Sequence, residues 1–293
     1  MLRWRLFAFV VSLILSAIFI FPDSSRAQKK SGESGRILLL PRNIVAGDRA
    51  TLAVLDVSGR LAPGVTVHFS NGEKYTTDAT GRALFVAPLN PGVIFGSLPG
   101  RAGRVPTTIL TSAEASASSP RVTQAPRIAS ISDRFELAGN GFCGDADSNQ
   151  VMMGDKQAIV LASSPVSMTV LAPLEQQNGA VTVKVSCGRQ SAPEFSITLV
   201  SLELKADSAA MAPGEKRVLT VQVHGSAARV MLEARNLAPE MASLNEKVLV
   251  RATSSGGAEN IARFELLGKK RGNFLISIRL IPSLFAPKDA AAQ

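Results

Sequence analysis

Between Arg36 and Leu284 the chain is built from short runs in which apolar and polar residues alternate, each closed by Gly, Pro, Asn or Asp. A period of two sends one set of side chains to a core and the other to water, the pattern of a half-buried β-strand. Residues 37–40, 50–55, 65–69, 82–86 and 107–110 predict a first group of strands, and no amphipathic helix interrupts them. A second group is predicted at 128–131, 135–139, 151–153, 158–162, 168–172, 180–186 and 195–199. The third group alternates most clearly. Leu219, Val221 and Val223 oppose Thr220, Gln222 and His224; Val230, Leu232 and Ala234 repeat the pattern, as do Val248 and Val250. Phe264 and Leu266, then Phe274, Ile276, Ile278 and Leu280, predict a closing hairpin around the turn at 268–272.

Short strands at this spacing predict an all-β chain of tandem Ig-like sandwiches. Residues 112–126, SAEASASSPRVTQAP, are small, polar and aperiodic and predict a linker. The expected division is a signal peptide at 1–27, sandwiches at 36–111, 127–199 and 200–284, and a flexible tail at 285–293.

The leader changes the picture from fold to compartment. Arg3 and Arg5 precede an apolar run from Leu6 to Phe21, broken only by Ser12 and Ser16, and Pro22 and Ser25-Arg26-Ala27 follow. This order reads as a secretory signal peptide, with an uncleaved membrane anchor as the alternative, since a span needs about 20 apolar residues. No later segment is long and apolar enough to span a membrane. The expected location is the periplasm, cell surface or exterior.

Charge is strongly basic, 32 Lys and Arg against 23 Asp and Glu, but the positive residues are scattered, as on a solvated surface. Candidate contact residues sit at two loop tips: Arg101 and Arg104, and Lys269, Lys270 and Arg271. For an exported basic chain the expected partners are a protein or an anionic envelope polymer. Trp4, lost with the leader, and Tyr75 are the sole Trp and Tyr, so aromatic platforms for sugars or bases are nearly excluded. Export, dispersed charge and missing aromatics together argue against nucleic acid.

Two stretches resemble known families. Pro126-Arg127-Ile128, Ile131-Ser132, Leu137-Ala138-Gly139-Asn140-Gly141-Phe142, Val151, Gly154, Ser163-Ser164-Pro165, Val170, Pro173, Gly179 and Val181, Val183, Val185 resemble the IPT/TIG domain, an Ig-like fold. The first block is similar to a bacterial Ig-like domain of invasin and intimin type. Its match rests on Gly47-Asp48, Asp56 with Gly59, Gly64-Val65-Thr66-Val67 and above all Thr77-Asp78-Ala79-Thr80-Gly81-Arg82-Ala83. The third block resembles no family that its residues identify. These resemblances imply spacers, adhesive units or protein-contact surfaces, and a fold by itself does not set function.

Catalytic chemistry finds little to work with. His68 and His224 are the sole histidines, both on polar strand faces, and neither a nucleophile elbow nor an H-E-x-x-H spacing occurs. Gly139-Asn140-Gly141-Phe142-Cys143-Gly144 fits the dinucleotide-loop string, but a further hairpin follows it where that loop would open a helix. Asp145, Asp147 and Asn149 imitate a calcium loop, yet Gln150 replaces its Gly and Lys156 its bidentate Glu. A looser calcium site or a solvated turn remain as readings. No cofactor, metal or catalytic residue is expected. Cys143 and Cys187, the two cysteines, favour a disulfide in an oxidising compartment over two buried thiols.

The sequence therefore predicts an exported, non-enzymatic binding, adhesion or scaffold protein. The alternative is an accessory polysaccharide-binding component of an exported enzyme system.

Overall fold

The computed structural model describes residues 35–101, 103–112, 119–205, 210–225, 229–236, 238–244, 247–251, 260–272, 274 and 276–287; side chains of 247–251 are outside that description. The leader and the final residues of the tail also lie outside the described residues. Among the described residues regular structure is β throughout, apart from short 3-10 turns.

The first module contains β1 (Ile37–Leu39), β2 (Asn43–Val45), β3 (Arg49–Leu55), β4 (Thr66–Phe69), β5 (Lys74–Thr76), β6 (Arg82–Val86), β7 (Gly92–Ser97) and β8 (Arg104–Leu110). β3 lies between β1 and β6, and β2-β8-β7-β4-β5 form the facing sheet. Leu52, Val54, Val67, Phe85 and Ile109 fill the space between the sheets. Two turns share one design. In Asp56-Val57-Ser58-Gly59-Arg60 and Asp78-Ala79-Thr80-Gly81-Arg82 the Asp carboxylate accepts backbone N–H bonds from the residues two and four positions on. In the second turn the Thr80 hydroxyl also donates to Asp78, and this bond holds that carboxyl below its usual pKa. The D-A-T-G-R string is thus a turn built by local capping.

The second module contains β9 (Arg121–Pro126), β10 (Ile128–Ser130), β11 (Arg134–Asn140), β12 (Asn149–Met153), β13 (Lys156–Gln157), β14 (Ile159–Ser163), β15 (Ser167–Leu171), β16 (Gly179–Cys187), β17 (Gln190–Ser191) and β18 (Phe195–Lys205). Sheet order is β14-β15-β11-β9 on one side and β13-β12-β16-β18 on the other. Leu137, Val151, Met153, Met168, Val183 and Val185 are buried between them.

The third module adds β19 (Lys216–His224), β20 (Arg229–Asn236), β21 (Ala242–Leu244), β22 (Lys247–Arg251), β23 (Ile261–Gly268), β24 (Ile276–Ile281) and β25 (Leu284–Phe285). β18-β19-β23-β21 face β22-β20-β24 across Val221, Val223, Leu232 and Phe264.

Three expectations change. Residues 121–126, expected in a linker, form β9, because Val122 and Ala125 point into the core while β9 pairs with β11. Phe285, expected in the tail, lies in β25, pairs with Ala125 and packs its ring on Phe195 with centroids 6.4 Å apart. The closing hairpin does not form. β23 pairs with β19 and β24 pairs with β20, so the two strands lie in different sheets, with the Lys269 N–H donating to the Met241 carbonyl at 2.8 Å.

Neither module boundary is a free joint. β18 pairs with β16 through Phe195–Leu199 (β16 residues 179–183) and with β19 through residues 201–205, so one strand serves two sandwiches. At the other boundary Ser163 of β14 pairs with Thr51 of β3, and Leu39, Ala53, Leu55, Leu161 and Ala162 bury a separate apolar cluster there.

Candidate functional site

The glycine-rich stretch lies at the contact of the first two modules. Gly139 and Gly144 occupy places where a Cβ would approach the Arg121 and Arg49 carbonyl oxygens to 2.0 Å, and Gly141 has a φ of 69°. Phe142 between them is buried in the second core. Cys143 and Cys187 form a disulfide, their Cα atoms 5.4 Å apart, which holds this turn to the end of β16.

Asn149 ties the same turn from below. Its Oδ1 accepts from the Cys143 N–H at 2.9 Å, and its Nδ2 donates to the Cys143 carbonyl at 2.8 Å and to Ser163 Oγ at 3.0 Å. The far side of the turn engages the first module. Thr51 Oγ1 donates to the Gly144 carbonyl at 2.8 Å and accepts from the Ala146 N–H at 3.0 Å. Arg82 pairs with Asp147 at 2.6 Å. Nearby, the Ser164 and Ser167 hydroxyls donate to the Asn43 carbonyl at 2.6 and 3.1 Å, and all three serines of the 163–167 segment are buried. Asn149→Ala would leave the part-buried Cys143 N–H without its acceptor and should cost about 2 kcal/mol, read from urea unfolding of the second module.

The three residues of the calcium-like string are engaged separately. Asp145 Oδ1 accepts from the Asp147 N–H at 3.1 Å, Asp147 faces Arg82, and Asn149 points inward, so their oxygens diverge. Among the described residues no group of three or more His, Cys, Asp or Glu side chains is placed to hold a metal ion. His68 is half-buried on β4, and His224 Nε2 lies 3.1 Å from Glu203 Oε2.

A groove of about 810 Å³ lies where all three modules meet. Its floor is the outer face of β9, β11 and β15, where Glu136 stands opposite Thr169. Arg42 and Asn43 of the first module form one wall, and Arg279, Pro282 and Leu284 of the third form the other. Arg279 Nε donates to Glu233 Oε2 at 2.7 Å, which orients its guanidinium. Glu136 is unusual. Its Oε1 is buried and accepts no hydrogen bond among the described residues. Burial pushes its carboxyl above the usual range, against a weaker downward pull from Arg42.

A carboxyl whose pKa rises on folding binds more protons folded than unfolded between about pH 4.3 and the raised value. Its contribution to stability is therefore full at acid pH and is lost as pH rises through that value. Glu136→Gln removes the dependence. Its melting temperature should exceed that of the unaltered chain at pH 7 and converge with it near pH 4 (about the unperturbed Glu value), measured by calorimetry.

The predicted contact residues Arg101, Arg104, Lys269, Lys270 and Arg271 are all exposed, the first two flanking the turn into β8 and the others following β23. Sequence reasoning missed the groove entirely. Arg42, Glu136 and Arg279 lie far apart along the chain, and the sole local signal was Glu136 between the apolar Phe135 and Leu137.

No family model and no curated protein matches the chain. Solved structures with some likeness include the Bacteroides ovatus mixed-linkage glucan utilization locus protein SGBP-B, solved with a mixed-linkage heptasaccharide. It is 11% identical over 85% of this chain and 73% of its own, with a TM-score of 0.33. The Escherichia coli adhesin FdeC is 15% identical over 89% and 95%, with a TM-score of 0.22. Domains 1–6 of the surface layer protein SbsC are 14% identical over 87% and 39%, with a TM-score of 0.20. Likenesses this distant carry nothing about function.

Proposed function

We propose that this chain is an exported, non-catalytic binding protein of the bacterial envelope or exterior, serving adhesion or scaffolding, with a protein or an anionic envelope polymer as partner. Its first two modules are read as an invasin-type bacterial Ig-like domain and an IPT/TIG domain, and its third as a further Ig-like sandwich. The observation that carries the reading is the rigidity of the junctions. A strand shared between sandwiches, a bonded Thr51–Gly144 contact and a C-terminal strand returning to β9 hold three modules as one frame. A frame of this kind fixes loops and grooves for recognition and so lowers the conformational entropy lost on binding. The apolar leader and the disulfide favour an oxidising compartment outside the cytoplasm. The exposed tips at Arg101, Arg104 and 269–271 are further candidate contacts.

Fractionation with intact-mass analysis tests the compartment, and crosslinking on intact cells tests binding. A cytoplasmic protein retaining Met1 with two alkylatable thiols would overturn the reading.

A further inference from the structure

We propose that the groove between the three modules is a binding site for a carboxylated glycan, a uronic-acid oligomer, whose carboxylates meet Arg42 and Arg279 while a ring hydroxyl donates to Glu136. The proposal rests on the reading of this chain as a binding protein and adds the ligand class and the site.

The chemistry follows from what faces the groove. Its volume of about 810 Å³ falls within the size of sites that enclose small ligands, roughly 300–1,000 Å³. Guanidinium groups stand on opposite walls, Arg279 on a module joined to the second by β18 and the β25–β9 pairing, and Arg42 on one joined to it by the β3–β14 contact. Arg42 is exposed and makes no side-chain hydrogen bond among the described residues, so its planar donor fork is available to a carboxylate. Glu136 lines the floor, and its Oε1 is a buried acceptor without a donor among the described residues, which a turn of the carboxylate would bring to a ligand. An unmet charged acceptor costs more than an ordinary one, and a ligand hydroxyl placed there recovers that cost on binding.

An extended peptide fits less well. Peptides join sheets at unpaired edges, whereas β11 is bonded on both sides, to β15 and β9, and offers only side chains. A neutral sugar usually adds stacking on an aromatic face. Trp and Tyr are absent from this lining, so charge and planar hydrogen bonding must supply recognition. Carboxylates on the sugar provide both.

Glu136→Gln gives the test its sign. The substitution adds one unit of positive charge, so any binding that depends on general basicity must tighten. Recognition through Glu136 must weaken, and the variant folds at least as stably as the parent by the argument above. Titration calorimetry on the disulfide-intact chain would use oligogalacturonate, a neutral glucan oligomer of the same length and oligoglutamate. The expected result is measurable oligogalacturonate binding, weakened roughly tenfold by Glu136→Gln and by Arg42→Gln, with little response to the other two. Absent oligogalacturonate binding, unchanged or tighter binding by Glu136→Gln, or equal binding of oligoglutamate would each overturn the proposal. Cell-surface crosslinks that persist in the Arg42→Gln variant would leave the wider binding reading standing while the groove assignment falls.

Discussion

Gly144→Val should detach the first module from the second. A Cβ at this position would sit 2.0 Å from the Arg49 carbonyl oxygen and 2.6 Å from its carbon. Both are backbone atoms of β3, which is held by β1 and β6, so neither side can yield cheaply. The overlap should cost about 3 kcal/mol, at the upper end for overpacking. Opening the contact relieves the clash and releases the Thr51–Gly144 and Ala146–Thr51 bonds. Hydrogen exchange would locate the event. The Ala146 N–H, bonded across the junction, should lose protection, while the Val65 N–H, bonded to Thr77 Oγ1 inside the first module, should keep it. Gly103→Ala, where the nearest contact is the flexible Arg101 side chain at 3.9 Å, is the neutral control. Retained protection at Ala146 in the Val variant would mean that the junction is not held by this contact.

The strands were legible because alternation is a local property, and Val181, Val183 and Val185 needed only their own neighbours to declare an inward face. What was not legible depended on partners distant in sequence. Arg121–Pro126 carries just Val122 and Ala125 as inward residues, a signal too thin to separate a strand from a linker until β11 is placed beside it. The sheet change after Gly268 could not be read either, since Ile276, Ile278 and Leu280 alternate identically whichever strand they pair with. Phe142, Cys143 and the flanking glycines form a turn with a buried plug. Their second role, docking on Arg49 and Thr51, was hidden because a glycine required by a close approach looks in sequence like one required by a turn. The groove is the extreme case. Its charged residues come from three modules and acquire meaning only when β18, β25 and the β3–β14 contact fix their spacing.

Cys143→Ser with Cys187→Ser should destabilise the second module by about 4 kcal/mol, the chain-entropy value for releasing a loop of this length, the cysteines being 44 positions apart. For a module of this size that corresponds to a fall in melting temperature on the order of 20 °C. The loss should extend to the first module's contact. The disulfide holds the segment whose Gly144 carbonyl and Ala146 N–H bond to Thr51, so freeing it lets the segment retreat from β3. Two effects then cease to add. In the serine background Gly144→Val should cost less than in the disulfide-bonded chain, because the loop can move away from the Arg49 carbonyl, and residues sharing one contact show this kind of coupling. Urea unfolding of the four chains, with and without reductant, measures the cycle. An unfolding midpoint of the second module that ignores reduction, or strict additivity of the two changes, would show that the bridge and the junction act independently.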